Sequence, residues 1–145
     1  MVNRSYQMEK NFEIIDHTAD VGIIAYGADM KQTFANAAKG LFSLITELDD
    51  VKEALHRDIN VTATDKESLL VEWLNELIYR FDTENIIFRR FDITELNNTQ
   101  LKARSYGEKV DSSKHKLKTG VKAATYHLLK VEKDDGYKVQ IIFDI

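Results

Sequence analysis

The sequence predicts an α+β protein in which two helices pack on one face of a mostly antiparallel sheet, as a two-layer sandwich. Two segments carry apolar residues at helical spacing, and several others alternate apolar and polar residues with the period of two that is typical of strands. The chain has 145 residues, 43% of them apolar, and it contains no proline. No composition shift marks a linker, so we expect one domain over residues 1–145.

The first predicted helix follows a short strand. Val21–Tyr26 is an apolar run that ends at Gly27, and another strand-like stretch precedes it. Asp29 and Gln32 then form a capping box, with the Asp carboxylate at the N-cap position. Apolar residues recur at helical spacing after this box. We therefore expect an amphipathic helix over Met30–Leu48.

The second predicted helix carries a wide apolar stripe. An alternating strand, Asp58–Thr64, precedes it, and residues 64–67 form a second capping box. Apolar residues then recur on one helical face, with Trp73 in the middle of the stripe. The polar residues 82–85 interrupt the pattern. This spacing predicts a helix over Lys66–Phe81.

After the second helix the apolar period changes to two. The alternation predicts four strands, which are Ile86–Leu96, Gln100–Tyr106, Val121–Glu132 and Tyr137–Phe143. Asn97-Asn98 and Asp134-Asp135-Gly136 have the composition of hairpin turns. A long polar loop, Gly107–Gly120, joins the middle two strands. Long ordered loops in small domains are often functional, so this loop is a candidate for function.

The net charge of −4 conceals an asymmetry along the chain. Residues 1–90 hold 16 acidic and 10 basic residues, whereas residues 91–145 hold 8 acidic and 10 basic residues. Lys102–Lys122 alone contains seven basic and two acidic residues. This segment could meet phosphate or an acidic protein surface, or it could be a solvated lysine-rich loop. The overall acidity argues against a protein whose main task is to coat nucleic acid.

The residue types that are absent from the sequence exclude several classes of site. There are no cysteines, so disulfides and thiolate metal sites are excluded, and any metal must use oxygen or imidazole ligands. We find no helical metal motif, phosphate-binding loop or nucleophile elbow. The sequence shows no secretory signal and no apolar run of membrane-spanning length, which predicts a cytoplasmic protein that does not contact membranes.

The histidines admit both functional and structural interpretations. His17 and Asp16 could form a general base and its orienting carboxylate, but a turn whose side chains bond to nearby backbone is more common. His127 follows Tyr126 in an alternating strand, and we expect it to be a half-buried packing residue. His115 lies in the basic loop, and the pattern assigns it no role.

The last residues of the sequence place two carboxylates close together. Asp144 is one residue from the α-carboxylate of Ile145, directly after an apolar strand. A strand that is docked to its last residue would hold both groups in place, although most chain ends fray and acids there are usually solvated. Two fixed carboxylates repel each other, and a hard cation such as Ca²⁺ or Mg²⁺ would relieve the repulsion.

Five segments together resemble the archease family, in family order and with family-like spacing. They are DHTADVGIIAYG (residues 16–27), ESLLVEWLNELIYRFDTE (67–84), YGEKVD (106–111), VKAATYH (121–127) and the terminal FDI (143–145). The resemblance covers the chain from about Phe12 onward. It implies that residues 1–11 are a variable leader.

The resemblance implies an accessory protein and not an enzyme. Archeases are small α+β proteins that act as cofactors of the GTP-dependent RNA ligase that joins tRNA exon halves. They promote guanylylation of the ligase and allow it many turnovers. By this resemblance the partner of the present chain is such a ligase.

The resemblance also implies a divalent-metal site. Its ligands would be Asp20, Asp144 and the terminal carboxylate of Ile145, with Ca²⁺ as the first choice and Mg²⁺ or Mn²⁺ as alternatives. If the first and last strands are neighbours, these three carboxylates converge, which favours a bound cation. The family motifs further suggest a functional surface made of Asp16, His17, Lys122, Tyr126 and His127.

Three alternatives stay open at this stage. The protein could be a small metal-dependent phosphoester hydrolase with His17 or His127 as base. It could be a general chaperone or modulator. It could also contact RNA, at least transiently, through Lys102–Lys122, although few aromatic residues accompany these lysines for base stacking.

Overall fold

The computed structural model describes residues 11–16, 20–133 and 135–145. Within these residues the chain forms strands, two α-helices and one short 3-10 helix, which confirms the predicted α+β class. The elements in chain order are β1 (Phe12–Asp16), β2 (Asp20–Gly27), α1 (Met30–Ile45), the 3-10 helix (Leu48–Asp50), β3 (Leu55–Thr62), α2 (Lys66–Glu84), β4 (Ile86–Leu96), β5 (Gln100–Lys109), β6 (Ala123–Lys133) and β7 (Tyr137–Asp144).

The described strands form two antiparallel sheets instead of the one that we expected. The first sheet has the order β1-β2-β7-β6, and the second has the order β3-β5-β4. The period of two in the sequence shows that each strand has one buried face, but it does not show which strands share hydrogen bonds. The first sheet therefore brings together β2, near the start of the described chain, and β7, at its end.

Both helices pack against strands of both sheets, so one core joins all the layers. Trp73 on α2 is fully buried, and its indole N–H donates a hydrogen bond of 3.0 Å to the carbonyl oxygen of Phe34 on α1. The same indole meets the ring of Phe91 on β4 edge to face, at 6.0 Å between centroids. The helix predicted from the apolar stripe is thus a core element. No helix in the described part of the chain is long and apolar enough to cross a membrane.

The predicted first residues of both helices, Met30 and Lys66, are confirmed, but α2 is capped by Asp65 and not by Thr64, the first residue of its predicted capping box. The Oδ1 atom of Asp29 accepts from the backbone N–H of Gln32 at 2.8 Å. The Oδ1 atom of Asp65 accepts from the backbone N–H of Ser68 at 2.7 Å. Each bond satisfies one of the amide groups that have no partner within the first helical turn.

The predicted ends of the helices differ from the observed ones. α1 ends at Ile45 instead of Leu48, because the loop before β6 caps it: Lys118 and Thr119 donate backbone N–H groups to the carbonyl oxygens of Ile45 and Leu44. α2 continues beyond Phe81 to Glu84 and ends at Asn85, whose φ of 56° is left-handed. Asn tolerates this conformation better than most residues, so it is a suitable helix terminator.

Several strand boundaries also differ from the predicted ones. β3 runs from Leu55 to Thr62, β6 begins at Ala123, and β5 continues to Lys109, so part of the predicted loop Gly107–Gly120 belongs to a strand. Gly107 permits this extension, since a Cβ atom there would lie 1.8 Å from the carbonyl oxygen of Ile87 on β4. The turn before β7 uses positive φ at Asp135 and Gly136, as the predicted hairpin requires. Asp134 lies outside the described residues.

Candidate metal site and its surroundings

β2 and β7 place Asp20 and Asp144 directly opposite each other, in the last register pair of their antiparallel ladder. Directly opposed side chains in such a ladder lie on the same face, with Cβ atoms about 4.5–5.5 Å apart. Two carboxylates that are far apart in sequence therefore meet at one end of the first sheet.

This carboxylate pair lies on the face of the sheet that points away from the core. The next register pair, Val21 and Phe143, is buried in the core, and successive side chains of a strand point to opposite faces. The Oδ1 atom of Asp20 is enclosed, whereas the side chain of Asp144 is exposed. The pair thus has one sheltered oxygen and one side that is open to solvent.

β6 completes this end of the sheet. Ala123 is the register partner of Asp144 on the side away from Asp20. The backbone N–H of Lys122 donates to the carbonyl oxygen of Asp144 at 2.8 Å, which holds the last residue of β7 in place. Ile145 follows directly and is 44% exposed. The main chain of Ile145 therefore begins from a fixed position beside the carboxylate pair.

The donor set at this strand end fits a hard divalent cation. Like charges directly opposite each other destabilise a sheet, and carboxylate oxygens are the ligands that Ca²⁺ and Mg²⁺ prefer. Within residues 11–16, 20–133 and 135–145, no three His, Cys, Asp or Glu side chains converge on one point. Asp20 and Asp144 would therefore need a further oxygen ligand, and the carboxyl group of Ile145 is the nearest candidate in sequence.

Gly22 shapes this strand end, and sequence analysis did not identify its role. A Cβ atom on Gly22 would lie 2.6 Å from Cδ1 of Ile142 and 3.0 Å from the carbonyl oxygen of Ile141. Because Gly22 has no side chain, the side chain of Ile142 can lie across β2 next to the carboxylate pair. A glycine inside a strand often marks such a close approach, so the glycine within the apolar run Val21–Tyr26 was the sign in the sequence that could have revealed this feature.

The structure separates Asp16 from the carboxylate pair. Asp16 is the register partner of Val21, so it lies on the opposite face of the sheet from Asp20, and it is exposed. His17, which was paired with Asp16 as a possible base, lies outside the described residues. The suggested functional surface of Asp16, His17, Lys122, Tyr126 and His127 stays a prediction.

The prediction of a half-buried His127 is wrong, because this residue lies in a large bulge and is exposed. The β6–β7 register passes from Thr125–Ile142 to Lys130–Gln140, so residues 126–129 stand opposite a single residue of β7. We call residues 126–129 the β6 bulge. The extra residues break the alternation of buried and exposed positions on which the prediction relied.

His115 is a buried structural residue in the loop before β6. Its Nδ1 atom accepts from the backbone N–H of Asp111 at 2.9 Å, so Nε2 carries the proton and donates to Glu108 at 2.9 Å. Glu108 also accepts from the ammonium of Lys114 at 2.7 Å and from the backbone N–H of Lys52 at 2.8 Å. This cluster fixes the loop against β5.

Glu108 has a strongly perturbed pKa. Burial raises the pKa of this carboxyl, but the bonds from Lys114, the Lys52 backbone and His115 lower it more, and the result is about 2. Glu108 is thus ionised in the folded protein at all ordinary pH values. Its perturbation has a structural cause and lies outside the carboxylate pair.

The basic segment Lys102–Lys122 does not form one free patch. Most of its cations have specific acceptors, which are Glu95 for Lys102, Asp58 for Arg104, the carbonyl oxygen of Glu84 for Lys109, Glu108 for Lys114 and Glu47 for Lys118. Lys102 and Arg104 lie on the second sheet, whereas Lys122 lies beside Asp144. Local pairing therefore offsets much of the positive charge that the sequence concentrates there.

Comparison with known proteins connects nearly the whole chain to one family. Residues 12–145 match the profile of the Archease protein family. A protein archease of Saccharolobus islandicus is 41% identical over 138 residues, which cover 94% of this chain and 99% of that protein. A protein archease of Methanosarcina mazei is 37% identical over 141 residues, which cover 94% of this chain and 97% of that protein.

Two solved structures share the fold. The solution structure of a Methanobacterium thermoautotrophicum protein has a TM-score of 0.81 at 35% identity and covers 93% of this chain and 99% of that chain. The crystal structure of a Thermotoga maritima protein described as an archease and possible chaperone has a TM-score of 0.61 at 22% identity, with coverage of 90% and 94%. The second likeness shows the fold alone.

Proposed function

Because the chain belongs to the archease family, we propose that it is a metal-binding accessory protein that activates the GTP-dependent RNA ligase of tRNA splicing. In this role it promotes guanylylation of the ligase and lets each ligase molecule complete many ligation cycles. The observation that most supports a metal-dependent role is the direct opposition of Asp20 and Asp144 at one strand end.

In this proposal the metal ligands are Asp20, Asp144 and the carboxylate of Ile145. Ca²⁺ is the first choice, and Mg²⁺ or Mn²⁺ are alternatives with the same preference for oxygen. When bound, the cation supplies positive charge that can position or neutralise phosphate oxygens. The chain itself orients the ligands: the N–H of Lys122 holds the main chain of Asp144, and Gly22 leaves room on β2 for the side chain of Ile142.

GTP chemistry belongs to the partner in this proposal. The sequence contains neither a phosphate-binding loop nor a nucleophile elbow. The proposed contribution of this chain is to hold a charge at one end of the first sheet, on the side that is open to solvent, where a partner can reach it. The protein therefore acts without turnover of its own.

The test is RNA ligation by the cognate ligase, with the ligase in excess of this protein. Joined RNA should exceed the number of molecules of this protein, because each molecule serves many ligase molecules. Asp20→Ala and Asp144→Ala should abolish activation while the protein stays folded by circular dichroism. Asp82→Ala removes an exposed acid from α2 and serves as the matched control, which should activate normally.

Two results would contradict the proposal. If ligation stops at one event per molecule of this protein, it does not act as a recycling activator. If the purified protein alone cleaves RNA, GTP or phosphoesters, the hydrolase alternative takes its place, with His17 or His127 as the base to be tested. Protection of unrelated unfolded proteins, without any effect on the ligase, would instead support the chaperone alternative.

A further inference from the structure

The β6 bulge exposes two large apolar side chains at its tip. Tyr126 is 57% exposed and Leu128 is 48% exposed, and His127 between them is exposed as well. Leu129 then turns back and packs against the core. Packing among the described residues accounts for Leu129 but not for Tyr126 and Leu128.

The backbone of the bulge is strained at Leu128. Its φ of 54° lies in the left-handed region, which a branched side chain rarely adopts. Two specific bonds maintain the shape: the Gln140 side-chain amide donates to the carbonyl oxygen of Leu128 at 2.9 Å, and the His127 N–H donates to Oγ1 of Thr125 at 3.3 Å. Strain that the surroundings hold in this way is concentrated at functional sites.

Protection of a strand edge does not explain these side chains. β6 is an edge strand of the first sheet, and bulges do keep such edges from pairing with other chains. However, α2 already occupies part of this edge: the side-chain amide of Asn75 accepts from the N–H of Ala124 at 2.7 Å and donates to its carbonyl oxygen at 3.3 Å. Edge protection also favours charged side chains, whereas this bulge presents Tyr and Leu.

The position of the bulge indicates what could cover it. Tyr126 lies three residues along β6 from Ala123, the neighbour of Asp144, which is about 10 Å in a strand. A macromolecule that reaches the carboxylate pair would therefore also reach the bulge. Exposed Lys122 and Lys130 flank the apolar tip. The complementary surface should be an apolar pocket with an acidic rim.

We propose that the β6 bulge is the anchor by which this protein docks onto its RNA ligase, with Tyr126 and Leu128 inserted into an apolar pocket that has an acidic rim. This inference rests on the proposed function and adds the contact surface to it. A buried aromatic anchor surrounded by charged rim residues is the usual arrangement of an interface hot spot. The bulge supplies affinity for the ligase, and the carboxylate pair is needed for activation.

The experiment measures the Kd between the ligase and the full chain by surface plasmon resonance, with activation and Ca²⁺ binding measured in parallel. Tyr126→Ala should weaken ligase binding about tenfold or more. Its Ca²⁺ affinity should stay unchanged, because about 10 Å along β6 separates Tyr126 from the neighbour of Asp144, which is too far for a contact with a bound ion. The matched control is Tyr79→Ala, which removes a tyrosine that is 59% exposed on α2 and should leave binding unchanged.

Leu128→Asn separates an interface role from a structural one. Asn adopts the left-handed conformation more readily than Leu, so the variant should melt at the same temperature as the wild type or higher. It should nevertheless bind the ligase more weakly, since it lacks the apolar side chain. A structural role predicts the reverse, which is a lower melting temperature with unchanged binding.

The remaining outcomes distinguish this inference from the function on which it rests. If the wild type activates the ligase and both bulge variants bind and activate equally well, the bulge is not the anchor, although the proposed function stands. If the variants keep ligase binding but lose binding to RNA exon halves, the bulge is an RNA contact and the docking proposal is wrong. If the wild type neither binds nor activates the ligase, the proposed function itself fails.

Discussion

Asp20 and Asp144 form a pair of like charges whose repulsion depends on whether a cation is present. Directly opposed carboxylates destabilise a sheet, and a divalent ion between them reverses the sign of the interaction. The register that opposes them is an observation, whereas their role as metal ligands stays a prediction. A measurement of stability with and without metal can decide it.

We expect Asp144→Asn to be at least as stable as the wild type in the presence of a chelator, because one of two opposed charges is removed. With Ca²⁺ at about 100 times its Kd, the wild type should gain about 2.7 kcal/mol, and the variant should gain much less. Thermal melts with EGTA and with Ca²⁺ provide the measurement, and Asp82→Asn is the control. An equal gain in wild type and variant would exclude Asp144 as a ligand.

Glu108 makes the stability of the protein depend on pH. Its pKa is about 2 in the folded protein, below the usual value of 4.5. The ionised carboxylate therefore stabilises the fold above pH 4.5, and this contribution is lost as the pH falls from 4.5 towards 2. Stability falls with falling pH because the carboxyl group of Glu108 takes up its proton at a higher pH in the unfolded chain than in the folded protein.

We expect Glu108→Gln to lower the free energy of unfolding at pH 7 by about 1.5–3 kcal/mol, because charged hydrogen bonds to Lys114 and His115 are weakened. The variant should also lose less stability than the wild type between pH 4.5 and pH 3. Urea unfolding at several pH values measures both effects. Curves for the two proteins that stay parallel over this range would mean that Glu108 does not contribute the pH dependence.

At the scale of the elements, α2 organises the core, and its absence from the proposed metal site stays a prediction. Its central residue Trp73 is fully buried, bonds to Phe34 of α1 and contacts Phe91 of β4. The helix therefore joins the other helix to the second sheet. Substitution of Trp73 should therefore lower the stability of the protein before it affects any function.

We expect Trp73→Ala to lower the free energy of unfolding by about 3–5 kcal/mol, as the loss of a large buried ring leaves a cavity. Tyr79→Ala, on the exposed side of the same helix, should change stability by only about 0.5 kcal/mol. Thermal or urea melts of the two variants provide the comparison. If Trp73→Ala melts like the wild type but fails to activate the ligase, α2 has a surface role and our interpretation is wrong.

At the scale of the whole molecule, the proposed site exists only because β2 and β7 are neighbours in one sheet. The carboxyl group of Ile145 is the third proposed ligand, and it is chemically distinct from the side chains. A peptide extension beyond Ile145 would convert this carboxylate into an amide and carry the free charge away. Such an extension therefore tests the third ligand without altering any side chain.

We expect a short Gly-Ser extension after Ile145 to reduce both Ca²⁺-dependent stabilisation and activation of the ligase. The same extension placed before Met1 should affect neither. Thermal melts and ligation assays on both proteins measure the difference, and circular dichroism checks that each is folded. Equal performance of the two would show that the Ile145 carboxylate has no role.

Short-range chemistry in the sequence was enough to predict much of the fold. The Asp29–Gln32 box placed the start of α1 at the observed residue, because an N-cap bond joins residues only three apart, and the box predicted over residues 64–67 lies one residue before the observed Asp65–Ser68 pair of α2. The alternation of apolar residues gave β4 its observed bounds, Ile86–Leu96. The end of the sequence indicated Asp144 and the carboxylate of Ile145 as a possible cation site, whereas Asp20 joined them through the family resemblance and not through spacing.

Only the tertiary structure decided the features that depend on contacts between distant residues. The division of the strands into two sheets and the register that opposes Asp20 to Asp144 both join segments that local patterns treat separately. The β6 bulge was missed for a related reason, since alternation assumes an unbroken ladder. A period of two determines which face of a strand is buried, but it does not determine which strand lies beside it. The backbone hydrogen bonds of a strand can be satisfied by many different partners, and the packing of the whole molecule selects one of them.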